Sequence, residues 1–262
     1  MKTKKIIGSV LFVAGLLLLW QLLYLAAVDW FGWAKPYAVP HPAGVWESFT
    51  GLLADGTLFT AVLSSMLRVL AGFAIAILIG VLLSILILQS SYLETNLKPV
   101  ILGIQTLPSI CWVPFAILWF GLSETAIIFV VIMGSAFGIA MGVENAVKNI
   151  PPLYIKAAQT MGITRRQLYR KVILPAALPA LIGSLKQGWS FAWRALMSGE
   201  VMSASAGLGY TLMIGRDLAD INQVMTVMLI IILLGIVIDK GIFSTWENHL
   251  LRRRGLLEEK SR

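Results

Sequence analysis

Lys186, Trp189, Trp193 and Glu200 recur at spacings that put them close to one face of a helix with 3.6 residues per turn. They sit in an otherwise apolar stretch, where ionisable side chains face a cavity or a partner. Lys186, near the middle, has two readings: a cation that eases an anion across, or one half of a folding pair with Glu144 or Glu200. Other chemistries find few residues to use. Cys111 is the lone cysteine and lies in an apolar run, and His41 and His249 are far apart in sequence. Neither a disulfide framework, a metal cluster nor a nucleophile–base set is expected. The chain also has no G-x-x-x-x-G-K-[ST] phosphate loop, so it is not expected to hydrolyse ATP itself.

The elements that must position such residues are membrane helices. Of the 262 residues, 58% are hydrophobic and 13% charged, and the mean hydropathy is +0.84. A soluble domain carries about 25% charged residues, so this chain lacks the polar groups to cover a wetted surface. Apolar runs of spanning length fall near 6–28, 61–88, 99–120, 125–147, 174–197 and 224–246. They predict an all-α polytopic membrane protein of about six transmembrane helices. The first run follows Met1-Lys2-Thr3-Lys4-Lys5 without a clean small-residue cleavage site, so it is read as an uncleaved helix. The second is long for a bilayer and is expected to tilt or to extend beyond it. Three stretches divide the chain: 1–60, the first helix and an outer loop; 61–250, the transmembrane core; and 251–262, a cytoplasmic tail. Pro36, Pro40 and Pro42 interrupt the outer loop, and Val45–Leu53 reads as an interfacial helix. Trp20, Trp30, Trp33, Trp46, Trp119 and Trp246 fall at span ends, as in an aromatic belt.

The net charge of +8 is best explained by cations in cytoplasmic loops, not by nucleic acid. With the amino terminus inside, the inner flanks hold Lys2, Lys4, Lys5, Lys98, Lys148, Lys156, Arg165, Arg166, Arg170, Lys171, Lys240, Arg252, Arg253, Arg254, Lys260 and Arg262. The outer loops keep Lys35 and Arg216. This asymmetry predicts both termini in the cytoplasm. Arg68 is expected to snorkel from the outer end of the second span. Asp239, Lys240 and Glu247 are expected to be solvated at the inner end of the sixth.

The loop 148–175 has its own pattern. Pro151-Pro152 suits a helix start, Leu153–Met161 reads as helical, and Gly162 suits the left-handed residue that ends a helix. Thr164-Arg165-Arg166-Gln167 reads as a capping box that opens a second helix before Leu174-Pro175. Taken alone, the loop is either a docking element, since Ala157 and Ala158 allow close approach, or an amphipathic helix held on anionic lipid by Arg165, Arg166, Arg170 and Lys171.

Lys156-Ala157-Ala158, three residues, Gly162, nine residues and Val172-Ile173-Leu174-Pro175 resemble the EAA loop of ABC importer permeases, with Lys156 in place of the motif's acid and Val172 in place of its isoleucine. Arg68-Val69-Leu70-Ala71-Gly72-Phe73, Val113-Pro114-Phe115-Ala116-Ile117-Leu118-Trp119-Phe120-Gly121 and Gly207-Leu208-Gly209-Tyr210 are similar to the nitrate, sulfonate and taurine subfamily. The resemblance implies a type I, MetI-like permease fold in the bacterial inner membrane. It implies a second permease copy, giving a homodimer, with two cytoplasmic ATPase subunits that bind ATP and magnesium and an external substrate-binding protein. The transported solute would be a small anion such as a sulfonate, taurine or nitrate, moved by alternating access. It implies ATPase coupling through Lys156, Ala157, Ala158, Met161, Gly162, Leu174 and Pro175. A pathway would be lined by Trp112, Lys186, Trp189, Trp193 and Glu200, and Gly207–Tyr210 would be either a turn or a segment near the binding protein. The third span, with Pro108 and Pro114 beside Cys111-Trp112, is expected to be kinked. An ion-coupled secondary transporter is the alternative, although neither a repeat of spans nor a set of intramembrane carboxylates is visible.

Overall fold

The computed structural model describes residues 2–203 and 206–253, so Arg254, Lys260 and Arg262 of the expected tail lie outside the described residues. Local signals start the helices. Pro42 occupies the first turn of α2 (Pro42–Ala54), where its missing N–H costs nothing. The Ser90 and Ser123 hydroxyls accept from the Leu93 and Ala126 amides at 3.4 and 3.3 Å, capping α4 (Ser91–Gln105) and α6 (Glu124–Lys148). Long apolar helices complete the pattern: α1 (Lys2–Leu25), α3 (Thr57–Gln89), α9 (Leu174–Ser203) and α11 (Ile221–Ile238). Among the described residues there is no strand.

Among the described residues, five helical segments are long and apolar enough to cross a membrane, and a bent pair makes a sixth if it counts as one span. The expected third span is not one straight crossing. It is α4 followed, after a break, by a 3-10 turn (Ser109–Trp112) and α5 (Val113–Phe120), with the two halves bent by 97°. Pro108 explains the break: its extended backbone (ψ 139°) and missing N–H end the hydrogen-bond ladder. The fifth span differs in the other direction. The helix that the capping box opens does not stop before Leu174. It runs from α8 (Arg165–Leu168) through a π turn (Tyr169–Ile173) into α9 without a gap.

The chain packs as two units, Met1–Ser64 with Ser205–Ile232, and Ser65–Ala204 with Leu233–Arg262. In the first, three hydrogen bonds tie distant segments. The Trp20 indole donates to the Pro40 carbonyl at 2.9 Å, the His41 amide to Asn222 Oδ1 at 3.2 Å, and the Thr226 hydroxyl to the Val45 carbonyl at 3.0 Å. Gly207 (φ 124°) opens α10 (Leu208–Asp217) with Leu208 fully buried, so this segment is a helix start and not merely a turn.

The core of the second unit is α6 against α9. Lipid supplies no hydrophobic drive between helices, so close packing must come from small residues. Gly134, Gly138 and Gly142 form a stripe at every fourth residue. A Cβ at these positions would lie 2.6 Å from Ala195 Cβ, 2.8 Å from the Phe191 ring and 2.6 Å from Ser184 Cβ. Val113, Ala116, Ala126, Val130 and Ala195 close one end of this core, with Trp112 packed on it. We expect Gly142→Val to force α6 off α9 and destabilise the fold by about 1–3 kcal/mol, as overpacking does. The melting midpoint of the detergent-solubilised protein should fall, and an unchanged midpoint would show that the stripe is not a contact.

Candidate functional site

The α6–α9 connection carries the first group of candidate residues. In α7 (Pro152–Thr160), Pro151 is the N-cap and Pro152 the first helical residue, and the helix ends at Gly162 with φ +72°. That angle lies in the left-handed region, which glycine enters without a Cβ clash. The Thr164 hydroxyl accepts from the Gln167 amide at 3.4 Å, and Gln167 Oε1 accepts from the Thr164 amide at 3.0 Å, completing the capping box. The side chains divide into two faces. Ala158 is buried and packs toward the chain. Leu153 (71% exposed), Tyr154, Ala157 and Met161 (80% exposed) point outward together, while Lys156, Leu174 and Pro175 are exposed as well.

The second group lies on α9 and is turned inward. Trp189 and Trp193 are buried and stacked at 6.3 Å, and Trp189 also meets the Phe73 ring edge-on at 5.3 Å. Lys186 pairs with neither Glu144 nor Glu200. Its Nζ lies 3.3 Å from Asp239 Oδ2, in the π turn Asp239–Phe243, and donates to the Ser244 hydroxyl at 3.2 Å. Asp239 is therefore a partner and not only a solvated end group. Trp112 is half-buried, edge-on to Phe129 at 6.4 Å. Trp189, Trp193 and Glu200 are thus buried within the protomer, where the large aromatics fill the gaps between helices.

Charges sit at both ends of α6. At its start, Arg68 is 5% exposed and does not snorkel. Its guanidinium donates to Glu200 Oε1 at 2.8 Å and pairs with Glu124, while Ser65 Oγ donates to Glu200 at 2.8 Å. At its other end, Glu144 is fully buried and accepts from Lys98 at 3.0 Å and from Lys148 at 3.0 Å, and Lys148 also pairs with Glu94. Each network joins helices that are far apart in sequence, which explains why no linear pattern announces it.

A third feature escaped the sequence reading. The break between α4 and α5 forms one wall of a cavity of about 320 Å³, lined by Gln105, Thr106, Leu107, Pro108, Ser109, Gly134, Phe191 and Arg194. Gln187, Ser190 and Arg194 are exposed at helical spacing on the face of α9 beside the tryptophans. Arg194 was legible as a second cation in the apolar run 174–197, but the face drawn through Lys186 passed it by.

Residues 72–246 match the family described as binding-protein-dependent transport system inner membrane component. The chain belongs to this family. It is the permease subunit of an ABC importer, which removes the secondary transporter from consideration. A putative ABC transporter permease of Methanocaldococcus jannaschii is 32% identical over 79% of this chain and 78% of its own length. A putative aliphatic sulfonates transport permease of Escherichia coli is 31% identical over 86% of this chain and 84% of its own. Permeases named for taurine (Escherichia coli), bicarbonate and nitrate (both Synechocystis) are 26%, 27% and 23% identical, over 79% and 78%, 88% and 84%, and 91% and 87% of this chain and their own lengths. An inward-facing structure of the MetNI methionine ABC transporter matches with a TM-score of 0.61 at 24% identity, covering 78% of this chain and 98% of that one. That likeness establishes the MetI-like fold.

The buried pair at the start of α6 yields a prediction for this permease. Arg68→Met leaves Glu200 buried without its cation and should cost about 3–5 kcal/mol, whereas Arg68→Met with Glu200→Gln should recover part of the loss. Thermal unfolding of the original protein, Arg68→Met, Glu200→Gln and the double variant measures it, and strict additivity would mean that the pair is not coupled.

Proposed function

We propose that this permease, as a homodimer with both termini in the cytoplasm, passes a small oxyanion from an external binding protein into the cell while two ATPase subunits dock on the loop 148–175. The observation that carries the docking role is the outward apolar face of Leu153, Tyr154, Ala157 and Met161, held by the Gly162 hinge against a helix continuous with α9. Exposed apolar residues grouped on one face of a polar loop mark an interaction surface. They fit a groove on a partner better than a lipid headgroup layer, where the cations would do the binding. Lys156, Gly162, Leu174 and Pro175 shape this element, and Ala158 supports it from beneath. ATP and magnesium belong to the ATPase, since the chain has no phosphate loop. The cations Lys98, Lys148, Lys156 and Arg165 then face the cytoplasm, in keeping with the positive-inside rule.

The oxyanion reading rests on the relatives, which are named for sulfonates, taurine, bicarbonate and nitrate. A further relative, from Halalkalibacterium halodurans, is named for formylaminopyrimidine, so the substrate needs a direct test. The complex, reconstituted in liposomes with its binding protein and ATP, should take up at least one of ethanesulfonate, taurine, nitrate and bicarbonate. Uptake of formylaminopyrimidine alone would overturn the oxyanion reading.

For the loop, Gly162→Pro removes the left-handed hinge and should abolish retention of the ATPase by tagged permease while the protein still inserts in the membrane. Met161→Glu should weaken retention about tenfold or more, as expected for a charge placed at the centre of an apolar contact. Normal co-purification by both variants would remove the docking role.

A further inference from the structure

We propose that the cavity at the α4–α5 break is an intramembrane binding site for a small oxyanion, with Arg194 as its cation. This rests on the oxyanion reading above and adds where in the protein the ion is held.

Three observations converge on the site. The first is position: Arg194 neighbours Ala195, which touches Gly134 near the middle of α6, so its guanidinium lies well away from either end of the helix pair. The second is charge. Among the described residues, Arg68, Lys98 and Lys186 each have a carboxylate partner, and Arg194 has none. Its Nε donates to the Ser190 carbonyl at 3.1 Å, and its guanidinium lies over the Phe191 ring at 5.1 Å. These contacts orient the group and leave the positive charge uncompensated. A cation at such depth is costly and is kept where it faces water or a counter-ion.

The third observation is the wall opposite. Non-helical backbone within a membrane span is tolerated where it lines a polar cavity, since the freed peptide groups must be satisfied. Gln105, Thr106 and Ser109 bring an amide and two hydroxyls to that wall. The Ser109 hydroxyl lies 3.3 Å from that of Ser198, and the Ser198 hydroxyl donates to the Arg194 carbonyl at 3.2 Å, which ties the break to α9. A volume of about 320 Å³ suits a small organic or inorganic anion. Arginine's planar fork matches sulfonate, nitrate or bicarbonate oxygens in pairs. An open cavity lets the ion leave, as a transport site must.

The test compares uptake of ethanesulfonate and of nitrate by liposomes holding the full complex, expressed per assembled permease–ATPase complex. Arg194→Met should lower uptake about tenfold or more, the loss expected from one charge-assisted contact. Arg194→Lys, which keeps the charge but loses the planar fork, should fall between Arg194→Met and the original protein. Equal uptake by Arg194→Met and the original protein overturns this site while leaving the oxyanion reading intact. An equal loss in Arg194→Lys and Arg194→Met also overturns it, since it would assign Arg194 to packing. If the original complex imports neither anion, and formylaminopyrimidine instead, both readings fall together.

Discussion

The contact of α6 with α9 through Gly134, Gly138 and Gly142 is the constraint on which the second unit depends. In water, two apolar helices are pushed together by the solvent, but in lipid they are not. Backbones must therefore come close enough for dispersion and weak contacts to act along their length, and only glycine leaves the room. Ala195, Phe191 and Ser184 fill that room on the other side. Once this register is set, α9 shows two different faces. Trp189 and Trp193 go into the packing, while Gln187, Ser190 and Arg194 remain outside it.

The charge networks at the two ends of α6 act on the same register in a different way. A buried ion pair is a weak source of stability, because desolvation offsets most of its attraction. It is nonetheless intolerant of displacement. Sliding α9 by one turn, about 5.4 Å, would part the buried Glu200 carboxylate from Arg68 and Ser65 and leave Arg68 with Glu124. Glycine contacts permit close approach at any register where small residues meet. The Arg68–Glu200–Glu124 network at one end and Glu144–Lys98–Lys148 at the other select one register.

Much of this was legible in the sequence because its signals are local. The helix start at Pro152, the left-handed Gly162 and the Thr164–Gln167 capping box each involve residues within one turn of one another. The Pro108 break was visible as a kink, but its 97° size was not, since proline marks where a ladder ends and not where the next helix points. What failed was pairing across helices. Helical spacing correctly gathered Lys186, Trp189, Trp193 and Glu200 on adjoining positions, yet an amphipathic face does not say whether its partner is a pore or another helix. Arg68 illustrates the limit: a cation near a span end snorkels if it is alone and is buried if two carboxylates reach it. The glycine stripe of Gly134, Gly138 and Gly142, a period of four in small residues within an apolar run, is a local signal that the sequence reading passed over.

Helix length links the loop to the cavity. The continuous segment Arg165–Met202 holds 38 residues, about 57 Å at 1.5 Å per residue, nearly twice the roughly 30 Å of a hydrocarbon core. Tilt alone cannot hide so long a rod, so its capping-box end stands clear of the lipid. The Gly162 hinge stands just ahead of this rod, and along it follow the π turn, Arg194 and Glu200. None of the residues in the π turn is buried, and Gly162 touches nothing that a Cβ would strike. These are the two places where the path of the rod can change without opening the glycine contacts or the Arg68 pair. Beyond them, from Ser184 to Glu200, α9 is fastened to α6 and must move with it. A displacement of α7 is therefore either absorbed at the hinge and the π turn or carried as rigid motion of the α6–α9 pair, which takes Arg194 and the wall of its cavity with it.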